Sequence, residues 1–358
     1  MIVMKKKSVL IGISGGVDSA AAAALLIEGG FHVEGLHIEN GFPGRSERAL
    51  RQISDRLRIP IHRVDASSRF RREIVDYFIS EYVEGRTPNP CIVCNKKIKF
   101  ALLIEEAAAR GLDHCATGHY ARIGRNDETG DLHLLRGSDS AKDQSYFLFE
   151  LGRKELELLF FPNGNKRKHY IQRIARDAGL GSLAERESQD ICFIPDDNYR
   201  RFLEKTVGTA VFSPGVIVNR LGEVVGRHHG IHTVTIGQRK GLNIASERPY
   251  YVIDIDRASN TVIVGRDEDQ FFDGLIAGKT SWSSPLRKER FPLRARVHIR
   301  YRHRGVDATI TPVPDDPDRI LVRFDSPQKA VTPGQAAVFY NDDALLGGGW
   351  IVGGVRYD

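Results

Sequence analysis

Three cysteines are the residues whose types and spacing could do the most distinctive chemistry. Cys91 and Cys94 stand two residues apart in the segment TPNPCIVCNKKIKF, and Cys192 lies far along the chain in ICFIPDD. We predict that Asn95 caps a helix that follows the pair, because asparagine favours that position. A thiol near a helix N-terminus and close to lysines has a lowered pKa, so Cys94 is predicted to be a largely ionised, reactive thiolate.

The cysteine pair leaves three chemistries open: a redox couple, a pair of metal ligands, or a site that handles sulfur. Its position far into the chain, behind a Pro-Asn-Pro turn, argues against a thioredoxin-like couple. A zinc knuckle needs a second pair of ligands at suitable spacing, and the sequence offers only Cys192 and scattered histidines. Cys115 lies inside a strand pattern and is predicted to be an inert buried thiol.

A glycine-rich turn, SGGVDS at residues 14–19, follows the first predicted strand and opens the first predicted helix. Its glycines allow a tight turn whose N–H groups face an anion, and Ser14 and Ser19 add hydroxyl donors. Asp18 would repel a phosphate, so we expect it to bind Mg²⁺ or to cap the helix. The strand–loop–helix arrangement resembles the pyrophosphatase loop of N-type ATP enzymes, which activate an oxygen on carbon by adenylation and release pyrophosphate.

Strand-like and helix-like patterns alternate over residues 1–120. The predicted strands span residues 8–13, 31–38, 59–65 and 114–121, and the predicted helices span residues 20–27, 46–57, 69–84 and 98–110. Alternation of this kind is typical of the α/β class with a doubly wound parallel sheet. A ligand of such a sheet is expected at the carboxyl ends of its strands.

Helical patterns continue to about residue 207, and short strands with turns replace them from Phe212 onward. Two β-rich runs flank the turn Arg-Ala-Ser-Asn at residues 257–260, which predicts a hairpin. We predict three domains: an ATP pyrophosphatase domain with a helical extension, a small mixed or β-rich domain, and a C-terminal β-barrel. Their predicted limits are residues 1–207, 208–277 and 278–358.

The composition is that of a globular protein with a mild excess of positive charge. The chain has 358 residues, 27% of them charged, and a formal charge of +6, which favours a polyanionic partner. Its four cysteines do not form the pattern of a disulfide framework, so we expect a cytoplasmic protein. The first residues lack the features of a signal peptide, and no apolar run is as long as a membrane span, so no membrane partner is expected.

Taken in chain order, a set of segments resembles the tRNA-specific 2-thiouridylase family of bacteria and mitochondria. The set comprises GISGGVDSA, GRTPNP, CNKKIKF, ATGHYAR, LLRGSDSAKDQSYFL, ICFI, HTVTIGQRKGL, RYRH and VTPGQAAVFYN. The resemblance covers nearly the whole chain and implies an ATP-dependent sulfur transferase that acts on the wobble uridine of tRNA. It implies ATP and Mg²⁺ as cofactors, and it implies that the small central domain contacts tRNA. As partners it implies the anticodon stem-loop of tRNA and a sulfur donor protein, such as a cysteine desulfurase or a sulfur relay protein.

The resemblance also implies roles for single residues. Cys94 aligns with the nucleophile, and Cys192 aligns with the cysteine that carries the persulfide. The residues implied to bind ATP are Gly12, Ile13, Ser14, Gly15, Gly16, Val17, Asp18, Ser19, Ile38 and Gly118. The residues implied to contact the target base or other parts of the tRNA are Asn89, Pro90, Cys91, His119, Lys142, Asp143, Gln144, Arg300, Tyr301 and Gln335.

Cys91 departs from the family pattern, in which this position is usually aspartate. Three thiolates, from Cys91, Cys94 and Cys192, could hold three irons of a [4Fe–4S] cluster and leave the fourth iron open to a sulfide. In the alternative, Cys91 is a tolerated substitution or a resolving thiol, Cys94 attacks a persulfide on Cys192, and the disulfide that forms between Cys94 and Cys192 must then be reduced. The loop GLHIENGFPGRSE is also shorter than in many family members, which leaves the identity of the sulfur donor open.

Two competing functions stay open beside tRNA thiolation. Other enzymes with this ATP loop adenylate different substrates, but they have no need of Cys94 and Cys192. A non-catalytic tRNA-binding protein would have no reason to keep an intact SGGVDS loop. Exchange between ATP and pyrophosphate that depends on tRNA would distinguish tRNA thiolation from these two functions.

Overall fold

The computed structural model describes residues 7–43, 47–125, 130–185, 191–208, 211–283 and 291–357. Three β-sheets organise these ranges: one of five strands, one of four and one of eight. Within these ranges, no helix is both long enough and apolar enough to cross a membrane.

The first sheet confirms the predicted α/β class. Its strands are β1 (Ser8–Gly12), β2 (His32–Glu39), β3 (Ile61–Asp65), β4 (His114–Ala116) and β7 (Leu159–Phe160). They lie in the order β3–β2–β1–β4–β7, and every neighbouring pair is parallel. The order reverses around β1, so the edge at the carboxyl ends of β1 and its neighbours is where such a sheet binds a ligand.

Helices connect these strands and extend the domain. They are α1 (Val17–Glu28), α2 (Glu47–Leu57), α3 (Ser67–Phe70), α4 (Asp76–Val83), α5 (Pro90–Cys94), α6 (Ala101–Arg110), α7 (Arg153–Leu156), α8 (Lys168–Asp177) and α9 (Tyr199–Val207). A π-helical turn, Arg71–Val75, joins α3 to α4, and a second, Asn95–Phe100, joins α5 to α6. π-helical turns within α-helices are frequent at functional sites, and the second one directly follows the cysteine pair.

Alternation along β1 explains why the sheet is covered on both faces. Val9 and Ile11 pack with α1 and α8 on one face. Leu10 packs on the other face with Phe100, the last residue of the second π-helical turn. Because successive side chains of a strand point to opposite faces, an uninterrupted apolar run such as this fits only a sheet buried on both sides.

Two predictions of local structure are wrong. Asn95 does not cap a helix, because the helix already begins at Pro90 and Asn95 lies inside its π-helical turn. Proline suits the first helical position, where its missing N–H needs no partner. The strand predicted at residues 114–121 is also divided: β4 ends at Ala116, and a separate strand that belongs to another sheet begins at residue 121.

The second sheet forms the middle of the chain. Its strands are β8 (Gly215–Val218), β9 (Val224–His228), β10 (Tyr251–Asp256) and β11 (Thr261–Gly265), in the order β10–β11–β8–β9. β10 and β11 are antiparallel across the turn at residues 257–260, which confirms the predicted hairpin. β8 and β11 pair in parallel, so the sheet is mixed.

The third sheet confirms the predicted C-terminal barrel. Its strands are β12 (Phe271–Trp282), β13 (Leu293–His298), β14 (Val306–Val313), β15 (Asp316–Lys329), β16 (Ala336–Asn341) and β17 (Ala344–Val355). They follow the order β12–β15–β14–β13–β16–β17, and pairing of β12 with β17 closes the ring. The limits of the three domains stay a prediction, and the limit placed between residues 277 and 278 lies inside β12.

A hairpin of the first domain extends the barrel sheet. It consists of β5 (Ala121–Arg125) and β6 (Leu132–Arg136), and Leu135 of β6 pairs with Ala344 of β17. The two domains therefore share one continuous run of strands.

Candidate active site

The glycine-rich loop lies between the carboxyl end of β1 and the first turn of α1. Gly15 has a φ of +77°, a conformation that suits glycine and lets the chain turn sharply. The Oγ of Ser19 accepts from the N–H of Ser14 at 3.2 Å and donates to the carbonyl of Gly16 at 3.0 Å. Gly16 is the N-cap of α1, so the loop presents backbone donors at a helix N-terminus, as an anion site requires.

Asp18 does not cap this helix; its carboxylate has other partners. Both of its oxygens accept from Nζ of Lys168, at 2.6 and 2.7 Å, and Oδ1 also accepts from the hydroxyl of Tyr120 at 2.7 Å. Lys168 is the first residue of α8, and sequence analysis did not find it. Its only signal in the sequence is its place in the basic run NKRKH, which does not reveal a contact made 150 residues away.

The loop fits the magnesium that accompanies ATP. A partly exposed carboxylate on Asp18 and the hydroxyls of Ser14 and Ser19 supply oxygen donors of the kind Mg²⁺ prefers. Among the described residues, no three histidines, cysteines or acids are arranged to hold a metal ion. One carboxylate suffices in sites where the phosphates and water complete the shell of Mg²⁺.

Gly118 backs the loop from the turn after β4. A Cβ on this residue would stand 2.8 Å from the backbone of Asp18 and Ser19. The side-chain amide of Asn163 donates to the carbonyls of Asp18 (3.0 Å) and Gly118 (2.9 Å) and so ties the two segments together. Ile38, implied to lie near the nucleotide, packs near the end of β2 against the cluster that holds Leu10.

Changing Gly118 to alanine is expected to displace the glycine-rich loop at residues 14–19, from here on called the phosphate loop. The new methyl group would meet backbone atoms of this loop, which cannot rotate away. We expect a loss of about 1–3 kcal/mol in the free energy of unfolding and a fall of at least about tenfold in the adenylation rate. Gly353→Ala is the matched control, since a Cβ there meets nothing within 4 Å. Thermal unfolding would measure the stability of each variant, and pyrophosphate release would measure its adenylation rate. Equal stability and equal rate in the Gly118 and Gly353 variants would contradict the expectation.

The three cysteines implied in the chemistry lie in the same part of the molecule, since the charges of Cys91 and Cys192 both act on the thiol of Cys94. Cys94 is 7% exposed, Cys91 is half-buried and Cys192 is exposed, and none of the three forms a disulfide within the described ranges. Burial raises the pKa of Cys94 to about 12, while the charge of Lys99 acts to lower it and those of Cys192 and Cys91 to raise it. The prediction of an ionised Cys94 is therefore wrong, because burial outweighs the lysine.

Cys192 lies against the carboxyl end of β2. The side-chain amide of Asn40, the residue after this strand, approaches the sulfur of Cys192 at 3.9 Å. On the other side, Asn95 donates to the carbonyl of Phe147 at 3.1 Å and accepts from Nζ of Lys99 at 3.0 Å. The thiols thus lie at the edge of the sheet that also carries the phosphate loop.

The rates of alkylation should follow these differences in exposure. At pH 7.5 iodoacetamide is expected to modify Cys192 before Cys94, and the rate at Cys94 should rise about tenfold per pH unit from pH 7 to 9. This is because the thiolate fraction grows tenfold per unit below the pKa. Cys115, whose pKa burial also raises to about 12, serves as the buried reference. Peptide mapping measures the extent of alkylation at all three cysteines. A fast, pH-independent reaction at Cys94 would show that its thiol is ionised after all.

The barrel contacts the segment that leads into α5, which carries Cys91 and Cys94 and is here called the cysteine helix. The N–H of Thr87 donates to the carbonyl of Pro333 at 2.9 Å, and the side-chain amide of Gln335 donates to the carbonyls of Thr87 (2.9 Å) and Pro88 (3.3 Å). Gly334 has a φ of +88°, and a Cβ on it would stand 2.8 Å from Thr87. Gln335, implied to contact tRNA, is thus bound to Thr87 and Pro88, the residues that precede Asn89 in the chain.

The other residues implied to contact tRNA differ in exposure. Lys142 and Arg300 are exposed, and Tyr301 packs on Phe147 with ring centroids 4.4 Å apart. Asp143 is buried and accepts from the N–H groups of Gly137 and Ser145 and from the hydroxyl of Ser145. Its carboxylate therefore shapes the turn that presents Lys142.

Gln144 and His119 connect this turn to the phosphate loop. The side-chain oxygen of Gln144 accepts from the backbone N–H of Tyr120 at 3.0 Å, and the backbone N–H of Gln144 donates to the carbonyl of Tyr120. His119 lies beside Phe100 and makes a 2.7 Å hydrogen bond with the hydroxyl of Thr117. Burial lowers the pKa of His119 to about 3, so it is neutral at physiological pH.

The fold and this site define a protein with a nucleotide-binding HUP domain and two β domains, and three family models match it in that order. They are the tRNA methyl transferase HUP domain at residues 7–196, the tRNA methyl transferase PRC-barrel domain at residues 200–266 and the aminomethyltransferase β-barrel domain at residues 272–351.

The chain belongs to the tRNA-specific 2-thiouridylase family. A tRNA-specific 2-thiouridylase of Syntrophus aciditrophicus is 49% identical over 342 residues, which cover 91% of this chain and all of the relative. One of Syntrophotalea carbinolica is 44% identical, over 97% of this chain and 99% of the relative. A solved complex of a 4-thiouridine synthetase with RNA and ATP overlaps 56% of this chain and 50% of its own, at 18% identity and a TM-score of 0.35.

Proposed function

We propose that this protein is an ATP-dependent transferase that replaces O2 of the wobble uridine in tRNA with sulfur. One observation carries the proposal: the phosphate loop follows β1, Cys192 lies beside the residue that follows the neighbouring strand β2, and the charges of Cys91 and Cys192 act on Cys94. Activation of an oxygen by adenylation and delivery of sulfur to the same carbon require this proximity. The relatives named as tRNA-specific 2-thiouridylases support the same assignment.

The chemistry begins with adenylation. The N–H groups at the start of α1 bind the phosphates of ATP, and Asp18 would hold the Mg²⁺ that offsets their charge. O2 of the uridine attacks the α-phosphate, pyrophosphate leaves, and the oxygen becomes part of a leaving group, AMP. Lys168 and Tyr120 orient the carboxylate of Asp18 for this step.

Sulfur transfer then uses two cysteines. Cys192 is exposed, and its thiolate attacks the outer sulfur of a persulfide on the sulfur donor protein, so that Cys192 carries the persulfide and the donor's thiolate leaves. The sulfur of Cys94 attacks the Cys192 sulfur of this persulfide, so a Cys94–Cys192 disulfide forms and hydrosulfide leaves with the electron pair. Hydrosulfide attacks C2 of the uridine and displaces AMP. A dithiol reductant then returns the disulfide to two thiols, which fits a cytoplasmic location.

A [4Fe–4S] cluster is a second candidate, favoured by the third thiol, Cys91. Cys91, Cys94 and Cys192 would each ligate one iron, and the cluster would supply sulfide to the activated base. Among the described residues the thiols do not form a closed ligand set, so the arrangement as it stands fits the persulfide cycle better.

The experiment that decides between the two is the iron, acid-labile sulfide and zinc content of protein purified without oxygen. The persulfide cycle predicts neither iron nor sulfide, three titratable thiols at these positions, and 2-thiouridine formation from a persulfide donor. About four irons and four sulfides per chain would establish the cluster instead. Stoichiometric zinc alone would contradict both. tRNA-dependent ATP–pyrophosphate exchange would separate thiolation from a purely tRNA-binding role.

A further inference from the structure

The outer face of α8 carries a stripe of positive charge that the proposed chemistry does not use. Ile171 and Ala175 pack α8 against α1, so the opposite face is turned to solvent. That face and the residues just before it carry five basic side chains, here called the α8 stripe: Lys166, Arg167, His169, Arg173 and Arg176. Within α8, His169, Arg173 and Arg176 are spaced by four and three residues, which keeps these three on one side of the helix.

The stripe is not neutralised within the part of the chain that the structure describes. No carboxylate there lies within ion-pair distance of any of its five members, whereas Lys168 on the same helix pairs with Asp18. Many surface arginines elsewhere have an acidic partner, as Arg71 and Arg72 do. A run of unpaired cations on one helix face repels itself, so it is better explained by an external anion than by stability.

The ring of Tyr170 orders the middle of the stripe. Nζ of Lys166 lies 5.2 Å from its centroid and the guanidinium carbon of Arg173 lies 4.7 Å from it. These cation–π contacts hold two charges near one ring. Because both cations lean on Tyr170, this ring is not an open platform for a base, as recognition of single strands would need.

The position of the stripe relates it to the site. It starts beside Lys168, whose side chain contacts Asp18 and whose N–H donates to Asp139 in the turn that carries Lys142. From there α8 runs about 15 Å away from the phosphate loop, at 1.5 Å per residue. An RNA whose nucleotide enters the site has further backbone that must lie over the neighbouring surface.

We propose that the α8 stripe binds the phosphate backbone of a double-stranded stem of the RNA substrate, an inference that rests on the proposed function. Duplex RNA is recognised mainly through its phosphates and shape, and cations without base-stacking aromatics match that chemistry. The stripe then sets the orientation of the RNA and not the identity of the base, because phosphate contacts position without specifying sequence.

The test compares the double variant R173Q/R176Q with R71Q/R72Q, which removes the same charge from arginines that have acidic partners. Binding of an unmodified tRNA transcript and of single-stranded oligouridine to the full chain is measured from 50 to 200 mM KCl. For R173Q/R176Q, the slope of log affinity for tRNA against log salt should become shallower by about 2, one for each lost phosphate contact. Oligouridine binding, the affinity for ATP and the melting temperature should not change.

Each other result has a separate meaning. Equal slopes in the two double variants would make the stripe a solvated surface and overturn the inference. An equal loss with oligouridine would assign it to single strands and overturn the duplex. Failure of the unaltered protein to bind tRNA at any salt concentration would contradict the proposed function itself.

Discussion

Replacing Cys94 by serine is expected to abolish formation of 2-thiouridine, by at least about a thousandfold, while tRNA-dependent release of pyrophosphate continues. The sulfur of Cys94 is the proposed nucleophile, and a buried hydroxyl cannot take its place at neutral pH. Adenylation depends on the phosphate loop, which the substitution does not touch. Mass spectrometry of nucleosides and a pyrophosphate assay on the same sample measure the two steps.

Cys115→Ser is the control for this experiment. Cys115 is also buried with a raised pKa, but it lies in β4 and donates to the carbonyl of Leu103, away from the other thiols. The control should keep its activity and lose only stability. Full thiolation by the Cys94 variant would contradict both proposed mechanisms, since each uses this sulfur.

Replacing Asp18 by asparagine is expected to reduce pyrophosphate release by about 10²–10³-fold, with thiolation falling in parallel. Asparagine keeps the shape of the side chain but removes the charge that would hold Mg²⁺ and that now pairs with Lys168. The magnesium dependence of the remaining activity should weaken as well. Exchange between labelled pyrophosphate and ATP, at varied Mg²⁺, measures the effect.

The double variant Asp18→Asn with Lys168→Met separates two explanations of that loss. If Asp18 served only to neutralise Lys168, removing both charges would restore most of the activity. If Asp18 acts on ATP and its metal, the double variant stays as inactive as the single one. Asp177→Asn, an exposed position at the end of α8, should behave like the unaltered protein and controls for the loss of one negative charge.

The order of elements in the first domain could be predicted from the sequence because each strand there is a short apolar run followed by a helical period. β1 is buried on both faces, so its residues are apolar without alternation, and the loop after it is recognisable from its glycines. The hairpin of β10 and β11 was predictable for a similar local reason, since its turn residues join two β-rich runs.

Features that depend on distant partners could not be predicted in this way. The pKa of Cys94 depends on how deeply the helix is buried, whereas the sequence shows only the lysines beside it. Asn95 has the residue type of a cap but serves to bridge Phe147 and Lys99. Lys168 reaches Asp18 only because α8 packs on α1, and no local pattern encodes that packing.

The contacts between the barrel and residues 87–88 matter for experiments on isolated domains. The carbonyls of Thr87 and Pro88 are bound by Gln335, and β5 and β6 continue the barrel sheet. A fragment that ended near residue 207 would keep every proposed catalytic residue yet expose an unpaired strand edge and lose the support of the cysteine helix. Inactivity of such a fragment would reflect its missing scaffold, so each step is best assigned with point variants of the whole chain.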